Sequence, residues 1–288
     1  MLSHFCVNIF TQPGELIIRD SEESLRIDWM SEPLPEYENP PVVETALAVE
    51  FAPLQGWNVI HYGILWERYR SRYPNFEVHP HLLSMAQSEF TVQDPPLRCF
   101  FLNAEGTQLV QVRSGVFVRN WRALPLNHLY PRYATIRPSF EQDFEIFDQF
   151  LHEFKIPPIE TWKCEVTYIN HFVQGRDWRD PLSLCKILPI LSPENVSGLL
   201  QDLAHARFVF GYQLPEDVGA LQIELVPVIS PEGRQIMQLG ITAVGRPRGN
   251  DLSSILEWLD KGHYAVVKGF SDFTSKEAQS EYWGRKWL

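Results

Sequence analysis

The sequence lacks the short patterns that identify common catalytic and nucleotide-binding sites. It contains no G-x-x-x-x-G-K-[ST] loop, no G-x-G-x-x-G that opens a helix after a strand, no G-x-S-x-G elbow and no H-E-x-x-H pair. A phosphate-cradling loop, a serine-hydrolase elbow and a zinc-protease helix are therefore not predicted. The hypothesis of an enzyme that uses other residues stays open.

Cysteine is also scarce, and its spacing argues against the usual metal frameworks. The four cysteines lie at positions 6, 99, 164 and 185, and no two of them form a C-x-x-C pair. A zinc ribbon or a redox pair is therefore not predicted, and we expect neither a bound metal nor a cofactor. Cys99 and Cys164 fall within strand-like runs and are predicted to be small core residues. This usage fits a reducing compartment, so we expect a cytoplasmic protein.

The sequence also lacks an excess of positive charge and long apolar runs. The formal net charge is -11, which argues against a broad electrostatic grip on nucleic acid, because that grip needs clustered Lys and Arg. No run approaches the ~18 uninterrupted apolar residues of a membrane span. No basic segment precedes the apolar residues at the N-terminus, so a signal peptide is not predicted. We therefore expect neither a membrane nor generic nucleic acid as a partner.

What the chain does contain is alternating strand patterns. Between Arg98 and Arg122, three runs separated by two tight turns predict an antiparallel meander. Val42–Ala52 and Thr161–Phe172 alternate in the same way and predict two further strands. In the second of these strands, Tyr168 and Asn170 fall on one face. The other face carries Lys163, Glu165, Thr167, Ile169 and His171.

Helical patterns lie between these strands. The clearest spans residues 135–155, where phenylalanines repeat at helical spacing opposite an acidic face that includes Asp143 and is predicted to be solvated. A short helix is predicted at residues 193–204. Asp251 is predicted to cap a later helix and Gly262 to end it. Residues 74–96, which include an H-P-H tripeptide, are predicted to form a surface loop and no metal site.

The order of the predicted elements repeats along the chain. Residues 42–155 and residues 161–287 each give a strand, a helix, three strands and a further helix. Antiparallel meanders with helices on one face are typical of the α+β class. We therefore predict two pseudo-duplicated β-α-β-β-β-α halves that share one curved, mainly antiparallel sheet. The saddle of the TATA-binding-protein-like fold is an analogy for this shape, and it carries no function.

Three regions follow from this repeat. Residues 1–39 are interpreted as a peripheral N-terminal arm with a Pro-rich linker, because closely spaced prolines disfavour both helix and sheet. Residues 40–158 are predicted to form the first half. Residues 159–288 are predicted to form the second half.

Five segments of the chain resemble those of a known family. They are PPVVETALAVEFAPL at 40–54, LVQVRSGVFVRNWR at 109–122, YPRY at 130–133, CEVTYINH at 164–171 and HYAVVKGF at 263–270. Together they resemble a sporadically distributed family of uncharacterised bacterial proteins, from about Pro33 to the C-terminus. The resemblance implies a bacterial protein and no particular activity. The scattered distribution of the family suggests horizontally moved genes, such as defence or toxin–antitoxin loci.

One constellation of polar residues stands out at strand ends and in the connection after the meander. Its members are Arg119, Asn120, Arg122, Tyr130, Arg132, Tyr133, Tyr168, Asn170 and His171. We predict that the Tyr-Pro-Arg-Tyr turn adjoins the end of strand 161–172, because the intervening helix and this strand have similar lengths. His171 is the candidate general base, since the unperturbed pKa of histidine is near ~6.5. In the structural alternative, Tyr168 and Asn170 hydrogen-bond the turn and fix how the helix begins.

Three functional hypotheses remain open. The first is a non-enzymatic component that binds or regulates another protein, or associates with itself, and it fits the missing catalytic patterns, the acidic charge and the aromatic content. The second is an enzyme of hydrolase or nuclease type that uses His171 with Arg132 and tyrosines. The third is a nucleic-acid binder that uses the extended sheet, which the net charge disfavours.

Overall fold

The described part of the chain contains eleven β-strands and five α-helices. A computed structural model describes residues 29–80, 97–124, 129–191 and 207–286. The strands are β1 (Glu36–Tyr37), β2 (Val42–Phe51), β3 (Asn75–Pro80), β4 (Leu97–Leu102), β5 (Gln108–Arg113), β6 (Val116–Arg122), β7 (Thr161–Val173), β8 (Phe208–Gln213), β9 (Ala220–Ile229), β10 (Gln235–Gly245) and β11 (Arg285–Lys286). The helices are α1 (Val59–Tyr69), α2 (Tyr133–Glu153), α3 (Pro181–Ile187), α4 (Leu252–Phe273) and α5 (Lys276–Glu281).

Nine of these strands form one antiparallel sheet in the order β3-β4-β5-β6-β2-β7-β10-β9-β8. The first strands of the two halves, β2 and β7, lie side by side at its centre. Outward from them, the sheet has β6, β5, β4 and β3 on one side and β10, β9 and β8 on the other, so the first half contains one strand more than predicted. This order confirms the predicted α+β class with a curved antiparallel sheet built from similar halves. The division into domains at residue 158 stays a prediction.

One face of the sheet packs against helices. On the other face, the buried apolar clusters among the described residues contain strand residues alone. On the first side, Val49, Phe117 and Val166 join the main hydrophobic core, to which all five described helices contribute. The other side holds two small clusters of strand residues, which are Ala46, Ala48, Val116 and Val118 in one and Phe100, Leu102 and Leu109 in the other. We call the two sides the helix face and the open face. The alternation of β2 and β7 predicted this division correctly.

Helices α2 and α4 differ from their predicted bounds. α2 begins at Tyr133, two residues before the predicted start. α4 is capped by Asp251, as predicted, but it continues through Gly262 to Phe273. A Cβ atom at position 262 would lie 2.9 Å from Cγ2 of Val166. The prediction that Gly262 ends the helix was therefore wrong, because this glycine lets α4 approach β7 closely.

Two segments for which the sequence analysis gave no strand or helix contain regular structure. Within the predicted loop 74–96, Asn75–Pro80 forms β3 and pairs with β4. The loop prediction was wrong there because the segment alternates and its proline comes at the end of an edge strand, where a missing amide is tolerated. In the second half, α3 occupies Pro181–Ile187. The predicted helix at 193–204 lies outside the described residues.

Part of the predicted N-terminal arm packs against the other end of the chain. Glu36–Tyr37 pairs with Arg285–Lys286 in a separate two-stranded sheet. The ring of Tyr37 is buried between Phe270 and Trp283, with centroid distances of 5.5 and 6.4 Å. Residues 1–28 lie outside the described part of the chain.

Candidate functional site

The tyrosines of the predicted constellation meet on the helix face. The hydroxyls of Tyr130 and Tyr168 share a hydrogen bond of 2.8 Å, and Tyr168 also bonds Nδ1 of His263 at 3.0 Å. The ring of Tyr133 stacks on the His263 ring with centroids 3.8 Å apart, and its hydroxyl donates to Oδ1 of Asp260 at 2.8 Å. We call these five residues the tyrosine cluster. Through Tyr168, the Tyr-Pro-Arg-Tyr turn and β7 are neighbours.

Burial limits the chemistry that the tyrosine cluster can perform. It raises the pKa of Tyr130 to about 12 and lowers the pKa of His263 to about 3. The His263 imidazole is therefore neutral near pH 7 and is a weak base there. The tyrosine cluster forms contacts among α2, α4 and β7. These contacts favour the interpretation that the cluster stabilises the fold.

Arg119 lies in a second cluster, a buried ionic group around Asp143 on α2. The Asp143 carboxylate is fully buried and accepts hydrogen bonds from Arg72 at 2.5 Å and from Tyr73 at 2.6 Å. Nε of Arg119 lies 3.4 Å from the same carboxylate, and Nη2 of Arg119 donates to Oε1 of Gln108 at 2.6 Å. Burial raises the pKa of Asp143, and the Tyr73 bond and both arginines oppose that effect. These contacts join the segment after α1 to α2 and β6.

Asn120 and Arg122 lie on the open face, because they alternate with Arg119 along β6. Asn120 donates to Oε1 of Glu44 at 3.0 Å and accepts a 2.6 Å hydrogen bond from Gln111. Nε of Arg122 donates to a backbone carbonyl of the turn before β5 at 2.9 Å. Burial raises the pKa of Glu44 to about 7, although Asn120 and Arg122 act in the opposite direction. The open face therefore carries a carboxyl group that titrates near neutral pH.

His171 also lies on the open face, so the sheet separates it from Tyr168. Its Nε2 is 3.2 Å from Oε1 of Gln238 on β10. Burial lowers the pKa of His171, and the Gln238 contact opposes that effect. The predicted enzymatic grouping of His171 with Arg132 and the tyrosines is therefore not assembled, because positions 168 and 171 project to opposite faces of one strand.

The two remaining members of the constellation have backbone partners. Arg132 is exposed, donates to the Glu38 carbonyl at 3.1 Å and places its guanidinium 5.6 Å from the ring centroid of Tyr130. Asn170 is buried and donates to the Leu239 carbonyl at 3.2 Å. The structural alternative expected Asn170 to bond the turn, but this hydrogen bond joins it to the neighbouring strand β10. The nine predicted residues are thus distributed over both faces of the sheet.

The open face also carries an ion-pair group that the sequence analysis did not select. Nζ of Lys163 lies 2.9 Å from Oε1 of Glu50 and 2.7 Å from Oε1 of Glu165. Burial opposes the charge of Lys163, but the two carboxylates outweigh it and raise the lysine pKa. The alternation of β7 had assigned Lys163 and Glu165 to one face, so a signal for part of this group was present. For His263 and Asp260 of the tyrosine cluster no pattern in the sequence gave a signal.

Two further observations concern ligands and membranes. Among the residues described, no three or more His, Cys, Asp or Glu side chains are grouped so that they could hold a metal ion. None of the described helices combines the length and the apolar character needed to cross a membrane.

Comparison with known proteins gives a weak structural likeness and no family. No protein-family model matches the chain, and no curated protein matches it. Among solved structures, the chain is similar to the crystal structure of DynU16, a protein of the dynemicin biosynthetic locus, with a TM-score of 0.25 and 11% sequence identity. That match covers 80% of this chain and 97% of DynU16. A likeness of this size supports no conclusion about function.

Proposed function

We propose that this protein is a non-enzymatic component that binds or regulates another protein chain through the second half of its sheet. The observation that carries the proposal is the exposure of β8. Val209 is 66% exposed, Tyr212 46% and Phe208 37%, and no described strand pairs with the outer edge of β8. Exposed apolar side chains beside an unpaired strand edge are typical of a surface that binds another chain.

The polar residues support the same proposal. Asn120, Tyr168 and Asn170 are buried and form hydrogen bonds with neighbouring strands and helices. His171 contacts Gln238 on the opposite side of the sheet from the tyrosine cluster. Because these groups stabilise the fold, the proposal assigns partner binding to the exposed side chains of β8 and not to the predicted constellation. A net charge of -11 favours a protein partner over nucleic acid.

The cysteines support a cytoplasmic location for this binding protein. Cys99, Cys164 and Cys185 are free thiols. Burial raises the pKa of Cys99 to about 12, so this thiol stays protonated and unreactive. Free buried thiols suit a reducing compartment.

Photo-crosslinking in cells tests the proposed binding surface. A photoreactive phenylalanine analogue replaces Val209 in one variant and Ile60 on α1 in the control. The two native side chains are 66% and 67% exposed, so both probes reach solvent to a similar extent. We expect discrete crosslinked protein species from position 209 and none from position 60. The absence of adducts at 209, or equal adducts at both positions, would overturn the proposal.

A further inference from the structure

The two edges of the nine-stranded sheet are not equally protected against pairing. β3, at one edge, has the sequence NFEVHP, which brings a charge and a proline to that edge. Natural proteins use such residues to prevent edge-to-edge association. β8, at the other edge, has the sequence FVFGYQ, with no charge and no proline. Of the two edges formed by the described strands, only the β8 edge therefore lacks these protecting residues.

We infer that β8 pairs with β8 of a second copy of this chain, antiparallel and across a two-fold axis. This inference rests on the proposed function and names the partner. The axis stands perpendicular to the sheet, so the helix faces of both copies lie on the same side. Two residues that pair across the junction must then both have even numbers or both have odd numbers, because neighbouring residues of a strand project to opposite faces. A register that pairs Phe210 with Phe210 meets this condition and overlaps residues 207–213 of both chains.

The side chains of β8 are complementary to themselves in this register. Phe208 of one copy lies opposite Tyr212 of the other, so two exposed aromatic pairs form across the junction. On the open face, Val209 lies opposite Gly211. A Cβ atom added at Gly211 would have no neighbour within 4 Å, so the space beside this glycine can receive the Val209 side chain.

The charges that flank β8 favour the antiparallel direction. Arg207 directly precedes the strand, and its side chain is 62% exposed while it pairs with Glu224 of the same chain. Glu216 and Asp217 lie in an exposed turn shortly after the strand. Antiparallel pairing places the basic end of each copy beside the acidic turn of the other, whereas parallel pairing would align like charges. A contact of this symmetric kind closes at two copies.

Sedimentation of the full chain tests the inference. Val209→Lys adds a charge to the β8 edge, and Val78→Lys adds one to the β3 edge, where the native valines are 66% and 51% exposed. We expect the wild type and Val78→Lys to form dimers with dissociation constants within about threefold of each other, and Val209→Lys to dissociate at least about tenfold more readily. Melting temperatures followed by circular dichroism report whether each variant folds.

A disulfide trap tests the register and does not depend on the lysine variants. Val209→Cys and Gly211→Cys are prepared with tags of different size and oxidised separately and together. We expect the mixed disulfide between the two variants to be the main product, because position 209 faces position 211 and does not face itself. Equal amounts of all pairings, or no mixed disulfide, would contradict the register.

The outcomes separate this inference from the proposed function. A wild-type monomer at about 100 µM, or equal weakening by the two lysines, would overturn self-pairing. If that monomer still crosslinks another protein from position 209, self-pairing fails while the proposed binding function stands. If position 209 crosslinks nothing, both fail.

Discussion

Glu44 should make the folded protein less stable as the pH rises towards neutrality. Burial raises the pKa of Glu44 from its ordinary value of 4.5 to about 7. The folded protein therefore holds this proton more tightly than the unfolded chain does. The resulting stabilisation is complete below about pH 4.5 and is lost as the pH rises through about 7. A difference of one pKa unit corresponds to about 1.4 kcal/mol. The difference between the two pKa values of Glu44 therefore changes the free energy of unfolding by about 3 kcal/mol in full.

Urea unfolding between pH 5 and pH 8 measures this effect. Glu44→Gln keeps a neutral side chain that can still accept the hydrogen bond from Asn120, so only the titration is removed. We expect the wild type to lose about 2–3 kcal/mol more than this variant over that range. Glu153→Gln is the control, since this carboxylate is 53% exposed in a surface pair with Arg68. An identical pH dependence in the wild type and Glu44→Gln would refute the reasoning.

Three further results are expected. Phe147→Ala should lower the free energy of unfolding in urea by about 3–5 kcal/mol, because the ring is fully buried 5.3 Å from that of Phe117; a loss below about 1 kcal/mol would place that face at the surface. Asn170→Ala should cost about 1–3 kcal/mol in the same assay, since the buried Leu239 carbonyl loses a donor, and unchanged stability would contradict that bond. Random duplex DNA should not bind with a submicromolar Kd at physiological salt in an anisotropy titration, because the net charge is -11; tight, salt-sensitive binding would favour the nucleic-acid hypothesis.

The sheet could be predicted because its strands carry their own pattern. β2 and β7 alternate between the helix face and the open face, and a shift by one residue would turn their apolar side chains away from the core. The extra strand β3 was missed because its six residues end in proline and were interpreted with the loop that follows. Local patterns thus determined the interior of the sheet more reliably than its edge.

The candidate site was harder to predict because it depends on which face each residue occupies. Tyr168 and His171 were grouped by their proximity along the chain, although the alternation of β7 already placed them on opposite faces. Asp143 was assigned to a solvated side of its helix. It is fully buried because Arg72 and Tyr73 approach it from the segment after α1 and Arg119 approaches it from β6. Helical periodicity carries no information about such long-range pairs.

The difference between the two edges bears on the proposed binding function. An exposed strand without charge or proline invites association with other chains, including aggregation. β3 shows that this fold tolerates a charge and a proline at a sheet edge, so the fold does not impose the uncharged sequence of β8. The first half adds five strands to the sheet and the second half adds four, so β3 and β8 are edge strands that do not occupy equivalent positions. The contrast in sequence between the two edges agrees with the proposal that another chain pairs with β8 and not with β3.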